Sequence, residues 1–266
     1  MVFATLNTPT SFAFEAAGWG IWWKDTPTEL KAAICALCHR SPLIQLRLVN
    51  VGPFTALDEF AALVAAPTLS DISFGGIWLP SVTEADEVGP RQLRLTSCSL
   101  HLSAPTINAR IRWIAECEVS HLQDLDLVWV PETTSHLQRI IDDSAPSLTR
   151  LVVNMREQQH DRMTAWIAAL LHPAQHPSPL TDIVVKTLLD SHPLVPMPSI
   201  DWAPLASVLS AHFPVLHNFV LEIAPLDPIE FVFDQLQSVI AGAKSGLHDL
   251  EERGVLSVVD GSAAWQ

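Results

Sequence analysis

The sequence contains no tyrosine, and charged residues make up only 17% of its 266 positions. Because 48% of the residues are hydrophobic, the composition excludes an intrinsically disordered chain and indicates that much of it is buried. The chain also lacks any run of about 18 uninterrupted apolar residues, the minimum for a membrane-spanning helix. We therefore expect a folded, soluble protein that has no membrane partner.

Basic residues are scarce. Lysine and arginine total 15 against 29 acidic residues, which gives a net charge of −14. A field of this sign repels phosphate backbones, so the composition argues against a nucleic-acid partner. The first 14 residues show no basic segment followed by an apolar core, and we predict no secretory signal. With only four cysteines, we expect reduced thiols in a cytoplasmic or nuclear protein.

The common catalytic motifs are missing. The sequence contains no G-x-S-x-G, phosphate-binding loop or H-E-x-x-H pattern, so we predict no catalytic residue, no metal and no cofactor. Cys35, Cys38 and His39 match the haem-attachment pattern C-x-x-C-H. Both cysteines fall in a predicted helix, however, where thiols pack as small apolar groups, and we favour a core role. Cys98 is interpreted as a structural residue that directly follows a strand.

A six-residue pattern recurs along the chain, with apolar residues at its first, fourth and sixth positions. Its middle apolar position falls at residues 46, 72, 93, 125, 151, 183 and 219, at intervals of 26, 21, 32, 26, 32 and 36. Such a segment predicts a short strand whose fourth and sixth positions face a core, while its third and fifth positions face outward. Seven copies indicate a repeat protein.

Segments with helical spacing separate these strands. They cover residues 55–66, 107–118, 134–145, 163–172, 204–212 and 228–241, and several end close to a proline. Alternating strands and helices at this period predict an α/β fold, an irregular leucine-rich-repeat solenoid with parallel strands on its concave face and helices on its convex face. A doubly wound sheet is the alternative. It is disfavoured because no glycine-rich turn follows a strand and the strands alternate in polarity.

Three stretches, 43–78, 122–153 and 200–258, resemble the leucine-rich-repeat F-box proteins of mushroom-forming fungi. In the first stretch a strand is followed by a phenylalanine-rich helix, a proline and a second strand that ends in tryptophan, and the third stretch resembles the closing repeat and terminal strand of that family. The resemblance implies a repeat surface that holds a substrate for a cullin ubiquitin ligase, and an F-box that docks on a Skp-type adaptor. It covers the repeats alone, because no F-box pattern is evident in residues 1–40.

From this resemblance and the repeats we predict a non-enzymatic protein-interaction scaffold. An enzyme, a hydrolase or transferase on a doubly wound sheet, is the alternative, and a truncated product without function is a third possibility. We expect a single domain over 1–266: a cap helix region at 1–40, repeats at 41–225, and a C-terminal cap helix with a terminal strand at 226–266.

The strand register predicts which side chains line the concave face and bind a protein ligand. The candidates are Arg47, Asp71, Arg94, Asp124, Asp126, Arg150, Val152, Val184 and Val220. The three valines predict an apolar stripe bordered by charges, which suits a protein ligand, although strand propensity alone also accounts for them.

The nine tryptophans point first to packing. We expect Trp22 and Trp23 to cover the end of the first repeat, and Trp78 and Trp202 to lie in the core. Trp129 follows a predicted strand, where it fills a turn or anchors a partner.

Overall fold

The computed structural model describes residues 9–15, 22–40, 42–52, 54, 57–64, 66–75, 93–101, 111, 114–129, 134–155, 160–171, 179–189, 200–225 and 233–261. Nine strands occur in these ranges: β1 (Ser11–Glu15), β2 (Gln45–Val49), β3 (Asp71–Gly75), β4 (Ser97–His101), β5 (Asp124–Trp129), β6 (Arg150–Met155), β7 (Asp182–Leu189), β8 (Asn218–Pro225) and β9 (Leu256–Asp260). The helices there are α1 (Thr28–Arg40), α2 (Leu57–Val64), α3 (Thr134–Ser144), α4 (His160–Leu170), α5 (Ala203–His212), α6 (Phe233–Gly246) and α7 (His248–Glu252).

All nine strands belong to one parallel sheet, and their order in the sheet is their order in the sequence. This arrangement confirms the predicted α/β fold with a repeat-like parallel sheet. The doubly wound alternative is wrong, because that topology requires the strand order to reverse at a switch point. Each strand instead lies beside the copy that precedes it and the copy that follows it, as in a leucine-rich-repeat array.

The fourth strand departs from the predicted register. Residues 93–95 contribute an isolated bridge between Arg94 and Glu118, whereas β4 begins at Ser97 and places Cys98 opposite Ile72. The amide of Ser97 donates to the carbonyl of Ser70 over 3.1 Å, which fixes this alignment. The spacing from position 72 is therefore 26 residues, and the predicted interval of 21 is wrong. The prediction failed because the two serines of β4 give it a weak apolar pattern, whereas Leu93 and Leu95 match the apolar pattern without forming a strand.

The chain forms two compact units. The first comprises Met1–Leu125 and Ser135–Ser144. A series of aromatic contacts runs through its core: Trp23 packs on Phe54 with ring centroids 5.3 Å apart, Phe54 on Phe60 at 5.6 Å, and Phe60 on Phe74 at 5.2 Å. Because Phe60 belongs to α2 and Phe74 to β3, these contacts attach the helix to the inner side of the sheet. Edge and offset contacts of this kind stabilise beyond the area they bury.

The second unit comprises Asp126–Thr134 and Ala145–Gln266. Its core side chains on β7 and β8, including Ile183, Phe219 and Leu221, are fully buried. Helices α4 and α5 pack together, and the hydroxyl of Thr164 donates to the carbonyl of Asp201 just before α5. This bond attaches α4 to the segment that leads into α5.

The ends of the array combine a strand and helices. Strand β1, which the sequence pattern did not reveal, pairs with β2 ahead of helix α1. At the other end α6 and α7 lead into β9, which pairs with β8. Among the described helices, none is long and apolar enough to cross a membrane. That the whole chain forms a single domain stays a prediction.

Candidate functional site

The strands present one row of side chains to the core and the alternate row to the opposite side of the sheet. In β2, for example, Leu46 and Leu48 are buried, whereas Gln45 and Arg47 are exposed. We call the second set, formed by the strand residues that alternate with the core residues, the outward face. It is the face that the sequence predicted as the binding surface, and parallel strands hold its side chains about 4.8 Å apart.

Polar pairs between neighbouring strands occupy the outward face of the first unit. The guanidinium Nε of Arg47 lies 2.7 Å from Oε1 of Glu15, and Nε2 of Gln45 donates to Oδ2 of Asp71 over 3.0 Å. Arg47 and Asp71 thus lie on the predicted face. Asp124 begins β5 at the equivalent position and is half-buried.

In the second unit, Asp126 accepts a hydrogen bond from Nδ2 of Asn154 over 2.8 Å. Arg150 opens β6 with an exposed side chain and lies opposite Asp182 in the register. Both candidates, Asp126 and Arg150, therefore lie on the outward face. The position of Asp126 is fixed by its bond to Asn154 and that of Arg150 by the register with Asp182.

The three predicted valines lie in register across β6, β7 and β8, with Val152 opposite Val184 and Val184 opposite Val220. They do not form an open apolar stripe, however. Val152 is only 2% exposed, while Val184 and Val220 are half-buried. The row offers a ligand two partly accessible valines.

An ion pair beyond the valine row was not predicted. The ammonium of Lys186 lies 3.3 Å from Oε2 of Glu222, whose side chain is 12% exposed. A Cβ added to Gly261 would lie 2.6 Å from Cγ of Glu222, so the backbone after β9 packs closely on this carboxylate side chain. The sequence contained a partial signal, because Lys186 and Glu222 continue the alternation two positions past Val184 and Val220.

Arg94 does not lie on the outward face, where the sequence predicted it. It precedes β4, where its Nε lies 3.2 Å from Oε2 of Glu118 and its Nη2 lies 2.7 Å from Nε2 of His121. The prediction that it lines the strand face is wrong, because the leucines beside it fill the core without belonging to a strand. An open groove of about 380 Å³ lies at the amino ends of β3 and β4. It is lined by Pro67, Thr68, Leu69, Ser70, Arg94, Thr96 and His121.

Cys38, Cys98 and Cys117 are buried core residues, whereas Cys35 is half-buried. Cys38 in α1 is fully buried, and this burial, with the nearby Cys35, raises its pKa to about 11. Burial likewise raises the pKa of Cys117 to about 12, with Glu116 as the second cause. Cys98 is 1% exposed and lies inside β4. The prediction that it directly follows a strand is wrong. Thiols with raised pKa values are poor nucleophiles and metal ligands near neutral pH.

The tryptophans divide between core and surface. Trp23 is 1% exposed and Trp202 is 5% exposed, which confirms the core position predicted for Trp202. Trp22 is 51% exposed and lies under the ammonium of Lys24, 4.6 Å from the ring centroid. Trp129 is the last residue of β5, and its side chain and all of Trp78 lie outside the described residues.

Comparison of the chain with protein-family models, with curated proteins and with solved structures finds no match. The fold therefore rests on the strand order and register alone. The resemblance to fungal F-box proteins, the protein ligand, and the cytoplasmic or nuclear location stay predictions.

Proposed function

We propose that the protein is a non-enzymatic scaffold that binds another protein on the outward face of its parallel sheet. The proposal is supported by one observation above all. Charged and amide side chains on this face, such as the Glu15–Arg47 and Gln45–Asp71 pairs, are held by contacts between neighbouring strands. A surface whose side chains are already ordered loses little conformational entropy when a partner binds.

The chemistry of the face agrees with a protein partner. In the first unit, the salt-bridged Arg47 and Glu15 can exchange partners with charged side chains of a ligand. Within the second unit, the half-buried Val184 and Val220 supply apolar area, and the Lys186–Glu222 pair lies two positions further along the same strands. Protein interfaces combine an apolar centre with a polar rim in this way. The face differs in this respect from a small-molecule site, which is concave and mostly apolar.

We further propose that the partner is a substrate delivered to a cullin ubiquitin ligase. This narrower proposal is supported by the resemblance of the repeats to fungal F-box proteins. A Skp-type adaptor would have to bind an F-box, so the adaptor is part of the proposal only where such a segment is supplied.

The face can be tested with a matched pair of charge reversals. Arg47→Glu alters the outward face, where Arg47 is 57% exposed and pairs with Glu15. Arg139→Glu alters helix α3, where Arg139 is 54% exposed and pairs with Glu116 and Asp143. The two variants change the charge equally and break similar exposed contacts, each of which contributes about 0.2–1 kcal/mol to stability.

Affinity purification from the native host is then compared for the two variants and the parent protein. We expect Arg47→Glu to lose at least one partner that the parent and Arg139→Glu retain. Loss of the same partners in both variants, or in neither, contradicts binding on the outward face. Recovery of the Skp adaptor in all three samples supports the ligase role, whereas its absence beside other partners rejects that role and leaves the scaffold proposal standing.

A further inference from the structure

Strand β9 is the last strand of the sheet among the described residues, and its backbone groups on the side away from β8 face no described strand. The carbonyl of Val255 accepts from the amide of Phe219 over 2.9 Å, and the amide of Gly261 donates to the carbonyl of Ile223 over 2.8 Å. The odd-numbered residues from Val255 to Gly261 therefore direct their backbone amide and carbonyl groups toward β8. Because alternate residues of a strand bond to opposite sides, Leu256 and Val258 direct theirs away from β8, where the sheet order places no further strand among the described residues.

The same edge leaves apolar side chains partly uncovered. Leu256 and Val258 are half-buried, whereas their register partners on β8, Phe219 and Leu221, are fully buried. Val259 is 39% exposed. In a repeat array each coil covers the apolar flank of its neighbour, and in the part of the chain that the structure describes no strand lies against β9 on the side away from β8.

The surroundings of this edge are acidic. Helix α7, which leads into β9, carries exposed Asp249, Glu251 and Glu252, and Asp260 at the end of the strand is also exposed. The basic groups nearby are Arg253, Lys244 in the last turn of α6, and His248, which lies 3.2 Å from Glu252. With the net charge of −14 on the chain, this local excess disfavours a second copy as occupant and attracts a basic segment.

We propose that β9 accepts an extended segment of a partner protein as a tenth strand, one in which lysine or arginine alternates with valine or isoleucine. Backbone bonds to Leu256 and Val258 supply affinity that is independent of sequence. The apolar side chains cover the flank of Leu256 and Val258. The basic side chains alternate with them and lie on the side of Ser257 and Val259, where the negative field of a chain with a net charge of −14 attracts them. This site is separate from the outward face, so either proposal can fail without the other.

The probe is a capped seven-residue peptide of alternating lysine and valine, added to the full chain. Amide hydrogen exchange is followed by NMR at Leu256, Ser257, Val258 and Val259. At saturation we expect exchange at Leu256 and Val258 to slow at least tenfold. Ser257 and Val259, whose amides already face β8, should change much less.

Two further probes separate strand pairing from general attraction. Alternate amides of the peptide point to opposite edges, and only one edge contacts β9. N-methylation of the amides on that edge should abolish binding, whereas N-methylation of the amides on the other edge should leave binding unchanged. Replacing the lysines with glutamate should weaken binding at least tenfold. Glu251→Lys, an exposed substitution in α7, should weaken binding of the lysine peptide and strengthen that of the glutamate peptide.

Three results would overturn the proposal. The first is no slowing at Leu256 and Val258 at millimolar peptide. The second is equal tolerance of both methylated peptides. The third is slowing at these two amides that increases with protein concentration in the absence of peptide, since that would make a second copy of the chain the occupant.

Discussion

At the scale of single residues, Trp202 shows how tightly neighbouring coils of the second unit pack. It lies just before α5, is 5% exposed, and contacts the backbone of α6 at two glycines one helical turn apart. A Cβ added to Gly246 would lie 2.7 Å from Cγ of Trp202, whereas one added to Gly242 would meet its Nε1 at an ordinary 3.7 Å. Gly246 is therefore required by the approach of the indole.

We expect Gly246→Ala and Gly242→Ala to change stability in opposite directions. The first forces a clash with atoms close to the Trp202 backbone and should lower the free energy of unfolding by about 1–3 kcal/mol. The second gains helix propensity without a clash and should raise it by about 0.5–1 kcal/mol. Urea denaturation of both variants measures the difference. Equal effects would show that Trp202 does not lie against Gly246.

The buried thiols make stability depend on alkaline pH. A thiol has an ordinary pKa of 9.0, and burial raises the pKa of Cys38 to about 11 and that of Cys117 to about 12. The folded state thus holds these protons more tightly than the unfolded state. Their contribution is fully present below pH 9 and is lost as the pH rises from 9 through the folded-state values.

We therefore expect the free energy of unfolding, measured in urea, to fall between pH 9 and pH 10.5. In a variant carrying both Cys38→Ala and Cys117→Ala, the fall should be smaller, and the two proteins should show the same pH dependence between pH 7 and pH 8.5. Identical slopes above pH 9 would mean that these thiols are not buried in the folded protein.

At the scale of elements, β4 is a strand that its own sequence does not predict. The stretch from Ser97 to His101 alternates serine with Cys98 and Leu100, a weak apolar signal that the leucines before it outweigh. The backbone alignment with β3 nevertheless places Cys98 and Leu100 in the core, at 1% exposure each. Only the spacing from the neighbouring copies could have corrected the prediction.

The alignment of β4 predicts a contrast between adjacent residues. Leu100→Ala removes a fully buried side chain and should cost about 2–5 kcal/mol, whereas Ser99→Ala on the outward side should cost about 1 kcal/mol or less. Thermal or urea denaturation gives both values. A cost for Ser99→Ala equal to that of Leu100→Ala would reverse the faces assigned to β4.

At the scale of the whole molecule, low charge content and strong acidity act together. A chain with 48% hydrophobic residues uses repetition to bury them, since each added coil extends the same core. The net charge of −14 leaves an acidic surface that favours basic partners. The two proposed binding regions, the outward face and the β9 edge, both follow from an array of parallel strands.

Much of this plan could be predicted. The class of fold, six of the seven predicted strands and the outward positions of Arg47, Asp71, Asp126 and Arg150 follow from the alternation of apolar residues, which records locally which side of a strand is buried. The sequence did not predict β1, whose five residues pair with β2 but do not contain the full repeat pattern. Nor did it predict the Lys186–Glu222 pair, which joins residues 36 positions apart.

The amino-acid sequence by itself determined that short strands alternate with helices and which side chain of each strand enters a core, because both depend on neighbours within a few residues. Only the tertiary structure decided the place of β4, the removal of Arg94 from the outward face, and the burial of Val152. These depend on hydrogen bonds and packing between strands about 26 residues apart or more, where equally apolar segments compete and the backbone alignment selects one of them.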